Sequence, residues 1–337
     1  MKIGLVDVDG GSFPNLALMK ISAWHKNRGD SVEWCTNPFE RFDKVYLSKV
    51  FSFSEDPDWY PNAPVVERGG TGYCIETING VEVFNKEKNK GLPYDVEHIY
   101  PDYSLYDLKD TAMGYLTRGC PKGNIHKYCH VAAKEGLCSV RVADLSEWWN
   151  GEKNIILLDP NTLACKEWET CFRQLVESGA RIDFTQGLDI QLLSKKAAKM
   201  LGQMKIKSVH FAWDNYSDKE RIVPAFQRLR DNVQIDRRNV SAYVLTNFDS
   251  TTEQDLERIY FLRSLDIQPY PMIYNKMEFF TTTGRIRQGA HKKYTKEQIE
   301  HACVCRNIQR WCNPFIFWQC ERFDDYIAGG KNKWRQT

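Results

Sequence analysis

Short apolar runs alternate along this chain with stretches whose apolar positions fall at helical spacing, and the alternation predicts strand and helix in turn. Residues 3–8 read as a strand. Residues 15–28 read as a helix, with Leu16, Met19, Ile21 and Trp24 spread over helical spacing. Gly29-Asp30 turns the chain, and further strands fall at 31–35, 44–50 and 65–66, before Gly69-Gly70. This pattern predicts a small doubly wound parallel domain over residues 1–72. Residues 73–110 read as a connector, in which the polar, charged segment 85–90 is a solvated loop or the end of a hairpin.

From residue 111 the alternation becomes regular. Strands are expected at 112–116, 155–158, 182–184, 208–213, 241–245 and 268–273. Helices are expected at 143–149, 165–178, 194–204, 218–230 and 252–265, the last capped by Thr251 or Thr252 with Asp255 in its first turn. Residues 111–275 therefore read as six βα units, and 276–337 as a mainly helical capping region with a helix at 297–311. That tail carries Cys303, Cys305, Cys312 and Cys320 among Trp311, Phe315, Phe317, Trp318 and Phe323. Positions 303 and 305 fall on different faces of a helix, so these thiols read as small buried hydrophobes and not as ligands.

A chain of 337 residues with 42% hydrophobic content suits two domains, or one large domain with an appendage. The formal net charge of +2 gives no strong field toward nucleic acid or an acidic membrane. Arg285, Arg287, Lys292, Lys293 and Lys296, with Tyr294, form only a modest basic patch. No apolar stretch is long enough to span a bilayer, and the first residues read as a strand and not as a signal peptide. Eleven cysteines, an odd count, argue for a reducing cytoplasm.

The chemistry concentrates after the strand at 112–116, in Thr117-Arg118-Gly119-Cys120-Pro121-Lys122-Gly123-Asn124-Ile125-His126-Lys127-Tyr128-Cys129-His130-Val131. Soft ligands crowded into a loop after a strand point to a metal, and thiolates with a histidine point to zinc or an iron–sulfur cluster. The segment resembles the cluster-binding loop of radical S-adenosylmethionine (SAM) enzymes, where C-x3-C-x2-C follows the first barrel strand and an aromatic residue precedes the third cysteine. Arg118-Gly119-Cys120-Pro121, Tyr128 and Cys129 match. The middle cysteine does not, and the pattern here is C-x5-H-x2-C through His126. Three ligand sets stand open: Cys120, His126 and Cys129 on a 4Fe-4S cluster; Cys138 folding back as the third thiolate; or a loop that holds zinc or no metal. A neutral imidazole in place of a thiolate would raise the cluster's reduction potential.

The resemblance covers residues 110–275, about half the chain. It implies a partial (β/α)6 TIM-type barrel, a 4Fe-4S cluster and SAM, and an oxygen-sensitive cytoplasmic enzyme fed by an electron donor such as flavodoxin or ferredoxin. The reaction implied is reductive cleavage of SAM to a 5′-deoxyadenosyl radical that takes hydrogen from an unidentified substrate. Function in α/β barrels gathers at the carboxyl ends of strands. Asp159 and Asn161 end the second strand, where the family contacts the SAM amino group. Gln186, Asp189, Asp214 and Thr246 end later strands and are expected around the nucleoside or carboxylate, with Tyr128 beside the last ligand. His130 reads as an outer partner of the cluster or as a packed imidazole. Residues 1–72 resemble a shortened cobalamin-binding domain of one branch of the family. The family's D-x-H-x-x-G turn is Asp7-Val8-Asp9-Gly10-Gly11 here, without the histidine, so cobalamin is not expected. Two rival readings remain: a non-catalytic or zinc-binding descendant of the fold, and an RNA-modifying relative that uses the basic patch.

Overall fold

Ile3, Leu5 and Val6 are buried along strand β1 (Lys2–Asp7), and this apolar run sets the centre of the first sheet. The computed structural model describes residues 1–11, 13–78, 81–124 and 129–327. The chain divides into two units, Met1–Gln186 and Gly187–Thr337.

In the first unit, β2 (Ser31–Trp34), β3 (Lys44–Ser48) and β4 (Val65–Gly69) complete a parallel sheet in the order β2-β1-β3-β4. The helix Leu16–Lys26 starts at Asn15, whose Oδ1 accepts from the Leu18 amide and whose Nδ2 donates to Ser48 Oγ at 2.9 Å. Gly4 permits the close approach this sheet needs, since a Cβ there would press on Val45, Cys35 and Phe42. In the Asp7–Gly11 turn, Asp9 accepts from the amides of Val50 and Phe51 and from Ser54 Oγ, so its carboxylate fastens the following loop. The segment read as connector holds an antiparallel hairpin, β5 (Ile75–Ile78) with β6 (Val81–Phe84), and the polar stretch after it carries the short turn Lys86–Lys88.

The remaining strands of this unit are β7 (Thr111–Gly114), β8 (Thr117–Arg118), β9 (Val140–Arg141), β10 (Asn154–Leu157) and β11 (Arg181–Phe184). β10 pairs parallel with both β7 and β11. The strand expected at 112–116 ends at Gly114, because the Leu116 amide turns to the Asp159 carboxylate. The helix expected at 143–149 is only the turn Leu145–Glu147. Asp144 and Glu147 cap each other across it, and Trp148 leaves helical geometry. Its buried indole packs on Gly114, where any Cβ would collide with the ring, and Nε1 donates to the Tyr115 carbonyl at 3.1 Å. Packing of one large ring outweighs the local helical pattern there. The helix expected at 165–178 begins later, as Trp168–Ser178.

The second unit carries β12 (Lys205–Trp213), β13 (Val240–Thr246) and β14 (Gln268–Ile273), each parallel to the next. Between and after them lie the helices Lys219–Asn232, Thr252–Ser264 and Lys296–Trp311. Thr251 caps Thr252–Ser264 in a box with Gln254. Trp311, Cys312, Phe317, Cys320, Phe323 and Tyr326 share one apolar cluster, as the aromatic spacing predicts. The fold class is α/β; besides the β2-β1-β3-β4 sheet, β7, β10 and β11 in the first unit and β12, β13 and β14 in the second are parallel strands in chain order. No helix among the described residues is long and apolar enough to cross a membrane.

Candidate functional site

The cysteine loop is tied shut at its base. Thr117 and Arg118 pair antiparallel with Arg141 and Val140, so the chain leaves and returns at one neck. Just beyond the neck, the Cys120 amide donates to the Gly136 carbonyl at 3.1 Å and the Gly119 amide to Glu135 Oε2 at 3.2 Å. Gly119 has φ +90°, and a Cβ on it would strike the Cys138 carbonyl. Only glycine fits both the conformation and the space. Cys120 and Cys138 are therefore neighbours in backbone at the neck, while Cys129 directly precedes the His130 cap of the short helix Val131–Glu135. Cys120 and Cys129 are half-buried and Cys138 is exposed, and none is in a disulfide. His126 and Tyr128, the expected third ligand and the aromatic before the last cysteine, lie outside the described residues.

Charge holds the neck from the other side. Arg118 donates to Glu97 Oε1 at 2.9 Å, lies 3.8 Å from Glu135, and stacks 4.1 Å from the Tyr115 ring centre. Lys20 donates to the same Glu97 oxygen at 2.9 Å, and burial lowers the Lys20 pKa against the pull of that carboxylate. His130 reaches Glu82 at 3.5 Å, on the hairpin strand β6.

Asp159, just past β10, is 2% exposed. Its Oδ1 accepts from the Leu116 amide at 2.7 Å. Its Oδ2 accepts from the Thr117 amide at 3.0 Å, Thr117 Oγ at 2.7 Å and Thr162 Oγ at 3.0 Å. Burial pushes its carboxyl up to about 6, against those hydrogen bonds, which all favour the anion. The carboxylate is committed to holding the strand that enters the cysteine loop.

Asn161 is different. It is 3% exposed, its Nδ2 lies 3.6 Å from the Cys120 sulfur, and its carbonyl accepts from Ser139 Oγ at 3.0 Å. Its Oδ1 is buried and has no partner among the described residues. A buried acceptor without a donor is costly, and it marks a place where something outside the chain can donate.

The other expected ring residues are placed singly. Gln186 is exposed at the end of the first unit. Asp189 accepts from the Gln191 amide at 3.1 Å and caps a turn. Asp214 gives its carbonyl to Arg258 at 3.0 Å. Thr246 is fully buried, donates to the Met272 carbonyl at 3.3 Å and lies against Cys305. In the basic patch, Lys293 pairs with Glu278 at 2.5 Å, Lys296 with Glu300 at 3.8 Å, and Arg287 donates to the Phe280 carbonyl at 3.2 Å.

Sequence reasoning missed one cluster. Asp255, His301 and Cys305 place one ligand atom each within 4.8 Å of one another, and this group could hold a metal ion. The histidine and cysteine stand one helical turn apart, which was the available signal. Burial, then the Asp255 charge, push the Cys305 thiol up to about 12. No family model matches the chain, and no curated protein matches it.

Proposed function

We propose that this chain is a radical SAM enzyme: the loop between β8 and β9 holds a 4Fe-4S cluster at the mouth of a partial (β/α)6 barrel. The observation that carries the reading is Asn161, with its amide nitrogen on the Cys120 sulfur and its buried oxygen open beside it. An ammonium group next to the cysteine loop would satisfy that oxygen, and the amino group of SAM is such a donor. The donor set suits the cluster, since Cys120, Cys129 and Cys138 all belong to one closed loop of soft ligands. Cys120 and Cys129 would hold iron, with His126 or Cys138 as the third ligand.

The cluster, when bound, supplies the single electron that splits the sulfonium carbon–sulfur bond of SAM. The residues of the chain do the positioning. Asp159 fixes Leu116 and Thr117, which set the direction of the loop. Gly119 lets the two sides of the neck meet, and Arg118 braces it through Glu97 and Glu135. Asn161 orients the ligand amine. Holding a reactive centre still in this way is the main contribution a protein makes to such chemistry.

Anaerobic reconstitution with iron and sulfide tests the reading. About four irons per chain are expected, with SAM binding that falls in Asn161→Ala at unchanged iron content. Zinc retained in place of iron, or iron-loaded protein that does not bind SAM, would overturn it.

A further inference from the structure

We propose that Asp255, His301 and Cys305 form a zinc centre in the second unit, separate from the cysteine loop. Two helices build it. His301 and Cys305 stand one turn apart on Lys296–Trp311, and Asp255 sits in the first turn of Thr252–Ser264. A buried cysteine is ordinarily an inert, apolar filler. Cys305 is instead met by two other ligand types: its sulfur lies 3.6 Å from His301 Nε2 and 3.9 Å from Asp255 Oδ2. Tetrahedral zinc, with bonds of about 2.3 Å to sulfur and about 2.0–2.2 Å to nitrogen and oxygen, sets its ligand atoms roughly 3.3–3.6 Å apart. Cys305 is already near that spacing from both partners, and all three ligand atoms lie within 4.8 Å of one another.

Two of the ligands are also held from behind. His301 Nδ1 lies 3.4 Å from Thr252 Oγ, which leaves Nε2 facing the sulfur. Asp255 Oδ1 accepts from Ser250 Oγ at 2.6 Å and from Arg258 at 2.5 Å, which leaves Oδ2 facing the sulfur. Outer partners that fix the non-ligating atoms are the usual complement of a metal site. Asp255 and Arg258 are fully buried, and His301 is the half-buried side from which an ion would arrive. Thiolate, imidazole and carboxylate together select zinc over the harder cations magnesium and calcium. No fourth Cys, His, Asp or Glu joins them among the described residues, so the last position falls to water.

The ion would tie helix Lys296–Trp311 to the strand ends. Arg258, bound to Asp255, also donates to the carbonyls of Trp213 at 2.7 Å, Asp214 at 3.0 Å and Leu245 at 2.8 Å. Binding replaces the thiol proton of Cys305 with the metal and releases that proton to solvent.

Cobalt(II), a spectroscopic stand-in for zinc, tests the site in the full chain carrying Cys120→Ser, Cys129→Ser and Cys138→Ser. That background removes the loop thiols, so the result is independent of the cluster reading. After dialysis against a chelator, one equivalent of cobalt should give a thiolate-to-metal charge-transfer band that zinc bleaches. Cys305→Ala should abolish the band. His301→Ala, at a half-buried position and with its fold checked by circular dichroism, should weaken cobalt binding more than about tenfold, since losing outer partners alone typically costs that much. No band in the folded background protein, an undiminished band in Cys305→Ala, or unchanged affinity in His301→Ala would each overturn the proposal.

Discussion

Asn161 sets its side-chain nitrogen 3.6 Å from the Cys120 sulfur while its side-chain oxygen lies buried without a donor among the described residues. The first half of that relationship ties the end of β10 to the cysteine loop, and the second leaves an acceptor for a ligand. Replacing Asn161 by Ala removes an unpaired buried oxygen whose burial costs about 1–3 kcal/mol. The lost Nδ2 contact to Cys120 and the cavity left by the truncation oppose that gain, so thermal stability should change little, while calorimetric SAM affinity of the iron-loaded protein falls about tenfold, the equivalent of one charge-assisted hydrogen bond of roughly 1.5 kcal/mol. Unchanged SAM affinity would contradict this role.

Gly119 predicts a sharper loss. Alanine there meets both a left-handed φ and the Cys138 carbonyl, so the neck must open. Gly119→Ala should lower stability by about 1–3 kcal/mol and reduce the iron taken up on reconstitution. Full iron content with an unshifted melting temperature would count against the neck as the element that positions the ligands.

Asp159 gives a pH signature. Its carboxyl titrates near 6 when folded and at the ordinary 3.8 when unfolded. Between those values the folded chain holds the proton that the unfolded chain has released. This group's contribution to stability therefore falls as pH rises through that window, by up to about 3 kcal/mol. Asp159→Asn lacks the titration, so the stability of wild type minus that of the variant should decline from about pH 4 to about pH 6. A flat difference in urea-unfolding free energy across that range would show that the carboxyl is not shifted upward.

Arg258 should be among the least replaceable residues of the second unit. It is fully buried, paired with Asp255, and bonded to three strand-end carbonyls. In protein dialysed free of metal, Arg258→Met leaves the Asp255 charge uncompensated and should cost about 3–5 kcal/mol. Adding Asp255→Asn should recover part of that loss. A single-variant cost under about 1 kcal/mol would place the pair with weak surface bridges.

The strands were largely legible, because buried β-strands are short apolar runs and little else in this chain is. Helix 252–264 was legible from its capping residues, and the tail from its aromatic spacing. The helix expected at 143–149 failed because Trp148 turns inward onto Gly114, a contact made by residues far apart in sequence. The hairpin at 75–84 was overlooked although its signal was there, Asn79-Gly80 in sequence between apolar-alternating runs; the neighbouring polar stretch 85–90 drew the whole segment into a connector. For the site, the pattern singled out Cys120, Asp159 and Asn161 and favoured Asp159, as the carboxylate, over Asn161 for the amino group of SAM. That ranking depends on which of two buried polar groups is already satisfied, and hydrogen bonding decides it. The Asp255, His301 and Cys305 cluster was missed because each residue separately has an ordinary local role: first-turn carboxylate, half-buried histidine, core thiol.

The most direct test of the central claim is to assay 5′-deoxyadenosine after adding SAM and a strong reductant to the anaerobically reconstituted protein. The account predicts that it forms in wild type and is lost, with iron, in Cys120→Ser. Fully iron-loaded wild type that makes none would contradict it.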